Sequence, residues 1–217
     1  MSTSGIPFTN RMMSGRFVSP VIDDFIEYSS YYTNFGLGKH EFKLANGETK
    51  KVDINLYDLA SLDGLDIVID GADEFDENLT LIKGGGGALV REKIIAQASQ
   101  SMIVVADNSK KVKTLGKFPL PVEVIQFSWN ETKRKICKLT GLSESKAKLR
   151  MSKNSNEHLI TDNGNYILDL SYEIIANPIK LEKYLLSLAG VLDCGLFCGI
   201  ASKIILASTK GIEIIEK

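Results

Sequence analysis

The sequence predicts an α/β protein: a doubly wound, mainly parallel sheet with a smaller α+β unit set into its second half. Two observations carry this. Between Leu65 and Asp107, two short apolar runs that each end in an acid, LDIVID and SMIVVAD, flank the helical stretch ALVREKIIAQASQ. Strand, loop, helix, strand is the pattern of a doubly wound sheet, and near-continuous apolar runs mark strands buried on both faces. From Val122 the order becomes strand VEVIQF, helix NETKRKICKLTG, strand KAKLRMS, hairpin HLITDNGNYILDLSY, helix NPIKLEKYLLSLAG and strand VLDCGLF. That βαββαβ order is ferredoxin-like.

The rest of the chain is assigned around these two blocks. VIDDFIEYSSYY suits a helix, and HEFKLANGETKKVDINLY a hairpin turning at Asn46-Gly47. The close prolines of Phe118-Pro119-Leu120-Pro121 mark a linker or a sheet edge, and KIILAS and GIEIIEK read as strands returning to the first sheet. The expected division is a Rossmann-like catalytic domain of residues 1–117 plus 196–217 and a small ferredoxin-like domain of residues 118–195.

Composition narrows the function classes. The chain has 217 residues, 44% hydrophobic and 24% charged, enough for a sizeable core. A net charge of -1 gives no footprint for nucleic acid or an anionic membrane. No apolar run is long enough to span a bilayer. Three cysteines (Cys137, Cys194, Cys198) without a paired framework suit a reducing, cytoplasmic setting, and CGLFC reads as buried strand thiols. The first twenty-two residues share the acid-poor bias of a transit peptide but not its amphipathic pattern, so an ordinary N-terminus is expected. With only His40 and His158, far apart, a His-rich metal centre is excluded, though carboxylate sites are not.

The chemistry gathers where open α/β sheets bind ligands, at the carboxyl ends of the strands. Asp70 and Asp107 each end a strand; the loop GADEFDEN adds Asp73, Glu74, Asp76 and Glu77; Lys83 and the run Gly84-Gly85-Gly86-Gly87 lead into the next helix. Glycines at a helix start leave backbone N–H groups facing outward, where the helix dipole favours an anion or a developing oxyanion. Neither the P-loop pattern nor the dinucleotide fingerprint is present, since Leu89 stands where the latter needs its third glycine. Glu92 shares its helix face with Ala88 and Ala96, a poorly hydrated setting that raises a carboxylate toward general-base range. The plain alternatives are a solvated acidic loop, glycines that merely allow close packing, and an exposed Glu92 beside Lys93 and Gln97.

The stretch IDGADEFDENLTLIKGGGGALVREKIIA resembles the core of type A ribose-5-phosphate isomerases, and VVADNSKKV, LGKFPLPVEVI, ITDNGNYILDL and GVLDCGLF follow in the order of that family. The resemblance runs from about Leu65 to the C-terminus. It implies a cofactor-free aldose–ketose isomerase that interconverts D-ribose 5-phosphate and D-ribulose 5-phosphate through an enediolate, in the non-oxidative pentose phosphate pathway. Carried over, Glu92 is the base; Asp70, Gly71, Ala72 and Asp73 hold substrate hydroxyls; Lys83 with the amides of Gly84, Gly85 and Gly86 steadies the enediolate oxygen; Lys110 helps bind substrate. A homodimer or homotetramer is also implied. The family's GTGST-like phosphate loop has no counterpart near the N-terminus, where only Ser19 and Phe25-Ile26 of GRFVSPVIDDFI, and SSYYT, offer an echo. That departure keeps open a weak or inactive sugar-phosphate-binding protein. Among related enzymes, the lack of a placed histidine disfavours an amino-sugar-phosphate deaminase, and the match of both motifs disfavours a CoA transferase.

Overall fold

The structure is a computed structural model that describes residues 26–27, 38–44, 49–54, 59–152, 156–209 and 211–216, the first three ranges as backbone. β1 (Ile26–Glu27), β2 (Gly38–Leu44) and β3 (Thr49–Ile54) form an antiparallel sheet in the order β1-β2-β3. The β2–β3 hairpin predicted around Asn46-Gly47 is present, with Gly38 opposite Ile54 and Lys43 opposite Thr49; its turn residues lie outside the described ranges. The helix expected over VIDDFIEYSSYY is not supported at Ile26–Glu27, which are strand, and its remaining residues also lie outside them.

The central sheet comes from β4 (Leu65–Asp70), β7 and two C-terminal strands. After β4 the chain makes two short strands, β5 (Glu74–Phe75) and β6 (Leu81–Ile82), then α1 (Leu89–Ala98), then β7 (Ser99–Asp107). The helix predicted to reach Gln100 stops two residues earlier and passes into β7 without a loop. Ser99 makes this join: its hydroxyl donates to the Ile95 carbonyl at 2.8 Å while its own backbone is already extended.

β8 (Leu120–Val124), α2 (Trp129–Thr140), β9 (Ala147–Leu149), β10 (Tyr166–Leu170), α3 (Pro178–Leu186) and β11 (Val191–Cys194) follow. They form an antiparallel sheet ordered β11-β8-β10-β9, the ferredoxin-like arrangement expected of βαββαβ. The linker prolines are placed differently from the reading: Pro121 lies inside β8, a central strand, at its second residue, one position beyond the β11 register, which ends with Cys194 opposite Val122. The hairpin HLITDNGNYILDLSY is only half realised. Its turn closes through Thr161 N–H to Asn165 O at 2.8 Å, and β10 follows, but residues 157–159 bond back to Arg150 and Ser152.

VLDCGLF, read as one strand, is broken at Gly195 into β11 and β12 (Leu196–Phe197), which belong to different sheets. β12 pairs with β6, and β6 with β5. β13 (Ala201–Ser208) then runs parallel to β7, and β14 (Gly211–Glu216) turns back antiparallel at the edge, giving the order β14-β13-β7-β4.

Two cores result. Val68, Met102, Val104, Ala106, Ile204 and Leu206 on one face of the central sheet pack with Ala96 of α1, Phe75 and Phe197. Leu120, Val122, Val124, Leu168 and Leu170 of the antiparallel sheet pack with Ile136 of α2 and Leu185 of α3. Each alternation follows the strand period of two.

Candidate active site

β4 delivers Asp70 to its carboxyl end on the buried side, and β7 lies parallel beside it with Val104 opposite Asp70. β5 and β6 fold the loop back so that Asp73 N–H bonds Ile82 O at 2.8 Å, which brings Lys83 alongside the strand end. α1 supplies Glu92 one turn in. The inward face of α1 is Leu89, Glu92, Lys93 and Ala96, so two charged side chains replace apolar ones on a packed helix face.

These elements bring three charges together. Lys83 Nζ lies 2.7 Å from Asp70 Oδ2 and 3.2 Å from Glu92 Oε2, with all three side chains at most 7% exposed. The ammonium also donates to Gly71 O at 2.7 Å and lies over the Phe197 ring, 5.5 Å from its centroid. Glu92 Oε2 is fully buried, and its contact with Lys83 is an ion pair without hydrogen-bond geometry. One cation cannot compensate two buried anions. Burial therefore raises Glu92 above its ordinary pKa, against the Lys83 charge, with repulsion from Asp70 adding to the rise. Asp70 is raised for the same reason. Burial alone would lower Lys83, but Glu92 and Asp70 outweigh it and hold the ammonium charged.

The glycine run is explained by close approach. Gly84 sits at φ 95 with its back 2.7 Å from Leu89 Cβ, measured from where a side chain would begin. At Gly85 an added Cβ would stand 2.6 Å from Asp73 Oδ1, and the Gly85 N–H donates to Asp73 Oδ2 at 2.7 Å. Two of the four glycines are thus fixed by neighbours, and the Gly85 amide expected to face an oxyanion is engaged with Asp73. Gly85→Ala is expected to push the Asp73 carboxylate aside and lower kcat/KM roughly tenfold to a hundredfold, with a melting temperature within a few degrees of wild type. Steady-state kinetics beside a thermal melt checks this.

The carboxylates expected on one rim divide into two groups. Asp70, Asp73 and Glu92 gather around Lys83 and the glycine run. Glu74 turns away and is buried, its two oxygens accepting from Gly116 N–H at 2.8 Å and Phe118 N–H at 2.5 Å. Asp76 caps its own loop through Asn78 and Thr80 N–H, and Asp107 accepts from Ser109 N–H. The solvated-loop reading fails for Glu74 and Asp76, which are needed to fold the loop. Gly71 is buried and donates to Asp70 Oδ1 at 2.7 Å, and Ala72 is half-buried between the two aspartates. Lys110 ends a short helical turn, Asn108–Lys110, just past the carboxyl end of β7. Among those residues no group of His, Cys, Asp and Glu is arranged to hold a metal ion; the Lys83 ammonium fills the space between the two carboxylates.

Three partners were not legible in the sequence. Arg150, at the end of β9, donates from Nη1 to Gly84 O at 2.8 Å and Gly85 O at 3.2 Å, and grips Asp169 of β10 with Nε and Nη2. Lys93 is buried and meets two acids distant in sequence, donating to Asp193 at 2.6 Å and Glu182 at 3.3 Å, and to Cys194 O at 2.8 Å. Glu123 of β8 is fully buried and accepts from Thr161, Asn163 and Asn165, so it shapes the TDNGN turn, which Arg91 then bonds from α1. Cys194 is a buried strand thiol as expected, pushed up to about 12 by burial, but Cys198, the second thiol of CGLFC, lies just past β12 and is only half-buried.

The family profile described as Ribose 5-phosphate isomerase A (phosphoriboisomerase A) matches residues 44–211. Ribose-5-phosphate isomerase A 1 of Oceanobacillus iheyensis is 47% identical over 161 residues, covering 74% of this chain and 69% of the relative. Ribose-5-phosphate isomerase A of Rhodopseudomonas palustris strain TIE-1 is 42% identical over 197 residues, covering 89% and 85%. Among solved structures, a D-ribose-5-phosphate isomerase in complex with phospho-erythronic acid superposes with TM-score 0.70 at 38% identity, covering 74% of this chain and 69% of that one. Ribose 5-phosphate isomerase A from Methanocaldococcus jannaschii gives TM-score 0.67 at 37% identity, covering 73% and 68%. With its sequence match and its fold in agreement, the chain belongs to the ribose-5-phosphate isomerase A family.

Proposed function

We propose that the protein interconverts D-ribose 5-phosphate and D-ribulose 5-phosphate, with Glu92 as the base. The observation that carries this is the buried Asp70–Lys83–Glu92 cluster, in which one ammonium faces two buried carboxylates. Glu92 takes the proton from C2 of the open-chain aldose, and the C1 carbonyl oxygen becomes an enediolate oxygen. The same carboxyl group returns the proton to C1, giving the ketose with no net change in charge. Lys83, held charged by its two anions, and the Gly86 amide, which has no acceptor among the described residues, lower the cost of the oxyanion. Asp70 and Asp73 carry protons between the substrate oxygens, and Lys110 assists binding from the rim. This route moves a proton between carbons and asks for no cofactor, because the chain supplies both base and cation.

The supporting features extend to organisation. The change of sheet at Gly195 and a core for each sheet support a catalytic unit of residues 1–117 plus 196–217 and a small unit of residues 118–195, with Ile82, Leu115 and Leu196 of the first packing into the core of the second. Exposed Ile174, Ile179, Leu186 and Leu192 on and around α3 support a homodimer or homotetramer, and a sugar-phosphate enzyme with reduced thiols fits the cytoplasm.

The test follows ribulose 5-phosphate formation from ribose 5-phosphate with EDTA present. Metal-independent turnover is expected. A second reading, a sugar-phosphate binder with little activity, is favoured by one observation: the family match begins at residue 44, beyond the stretch without a GTGST-like loop. Binding of ribose 5-phosphate with no turnover would select it. The pH profile gives a further check. Because burial raises Glu92, kcat/KM should fall on the acid side through an apparent pKa above the ordinary 4.5. Lys83→Met removes the charge that lowers Glu92 and should move this limb to higher pH.

A further inference from the structure

One cation reaches the glycine run from the antiparallel sheet. Arg150 Nη1 hydrogen bonds the carbonyls of Gly84 and Gly85 at 2.8 and 3.2 Å, and Asp169 fixes the other edge of the guanidinium. Asp169 lies opposite Lys148 in the β9–β10 register, so Arg150, two residues on, meets it diagonally across the strands. Arg150 is only 14% exposed and Asp169 25%. The Gly84 carbonyl also accepts from Gly87 N–H at 2.8 Å, so the turn is held by two donors at one oxygen.

We propose that Arg150 is a positioning residue that strengthens the glycine-run amides as hydrogen-bond donors to the site. The inference rests on the isomerase reading above. The two carbonyls it bonds belong to the peptides whose N–H groups are those of Gly85 and Gly86. A charged donor at a carbonyl oxygen draws density through the amide and makes its N–H the better donor. For Gly85 the gain goes to Asp73, which its N–H holds at 2.7 Å. For Gly86 it goes outward, since that N–H has no acceptor among the described residues. Arg150 thus acts through the backbone and never touches the substrate, while Asp169 keeps the guanidinium in its plane.

A purely structural tie between the two sheets would predict loss of stability with equal loss of every ligand. The experiment separates the two. Calorimetry measures binding of phospho-erythronic acid, whose carboxylate presents anionic oxygens at the reacting end, and of erythritol 4-phosphate, whose end is a neutral alcohol. Arg150→Gln should weaken the acid roughly tenfold and leave the alcohol within about twofold, with kcat down roughly tenfold and KM little changed. Arg150→Lys, which keeps the charge but not the fork, should fall between wild type and Arg150→Gln. If Arg150→Gln does not fold, Asp169→Asn keeps the guanidinium and loosens its anchor, and the same discrimination should shrink. Equal weakening of both ligands, or no change in either, overturns the proposal. A wild type that binds the acid but does not isomerise the sugar overturns the isomerase reading instead, and the two-ligand comparison still decides the role of Arg150.

Discussion

Glu92→Gln is expected to lower turnover by roughly 10²- to 10⁴-fold while raising thermal stability at alkaline pH. The substitution keeps the volume of a side chain that is 7% exposed, so packing on Ala88 and Ala96 survives. What it removes is the proton acceptor and the second, uncompensated anion beside Lys83. The sign of the stability change follows from linkage. The pKa of Glu92 is raised in the folded state, so ionising it costs folding free energy. Its favourable contribution is complete below the unfolded pKa and is lost as pH rises through the folded value. The glutamine side chain carries no such loss. The variant should therefore melt higher at pH 8, by a few degrees if the cost is about 1 kcal/mol, and the gap should close by about pH 4. Lys83 keeps Asp70 as a partner, so no new unpaired cation offsets the gain. Kinetics together with melting curves at two pH values test both halves. An active variant would remove Glu92 as the base; a melting difference independent of pH would remove the uncompensated charge as its cause. A base kept strained in a dry site at the expense of stability is the usual trade of activity against stability.

What was legible in the sequence was whatever a local pattern can carry. LDIVID and SMIVVAD read correctly as the strands β4 and β7, but not as strands buried on both faces: Val68, Asp70, Met102, Val104 and Ala106 point inward, whereas Ile67 and Ile69 on the other face are exposed. Glu92 could be singled out because Ala88 and Ala96 lie one turn to either side of it. Lys83 and the aspartates were placed at a strand end by topology alone. What was not legible depends on register. Arg150 and Asp169 meet only because Leu149 sits opposite Leu168, and nothing in KAKLRMS sets that pairing. Glu123 reads as one charged residue in an apolar strand, yet it is fully buried because an asparagine-rich turn some forty residues later comes back to bond it. Glu74 was counted with the acids of its loop, but its partners are the amides of Gly116 and Phe118. The end of α1 was overrun because AQASQ suits a helix, while Ser99 and Gln100 face Leu65 and its neighbours in β4, where the ladder claims their backbone.

Gly195→Ala should be the most damaging small substitution in the molecule. Gly195 is where the chain leaves the antiparallel sheet for the strand beside Lys83: its N–H bonds Pro121 O at 2.7 Å, and its carbonyl accepts from Lys83 N–H at 2.8 Å. An added Cβ would stand 2.2 Å from Lys83 O and 2.8 Å from Pro121 Cδ. The first is a backbone atom with no rotamer to escape into, so either the Lys83 backbone or the Pro121 strand must shift. Overpacking of this kind costs about 3 kcal/mol, which in a chain of this size lowers the melting temperature by roughly 6 to 12 °C. The functional cost is separate. Lys83 carries the ammonium that balances Asp70 and Glu92, and a displacement near 1 Å at a positioning group can cost about a hundredfold in rate. Turnover measured well below the lowered melting point should therefore still fall tenfold or more. Gly199→Ala is the control. Gly199 lies in the same segment at φ 72 with open space around it, so alanine there meets only the left-handed backbone penalty, about 1 kcal/mol, and kcat should hold. If Gly195→Ala and Gly199→Ala lose stability equally and both keep full activity, the contact with Lys83 does not govern the site. If only the first loses turnover, the crossing between the sheets and the placement of the catalytic lysine are one structural feature, set by the absence of a single methyl group.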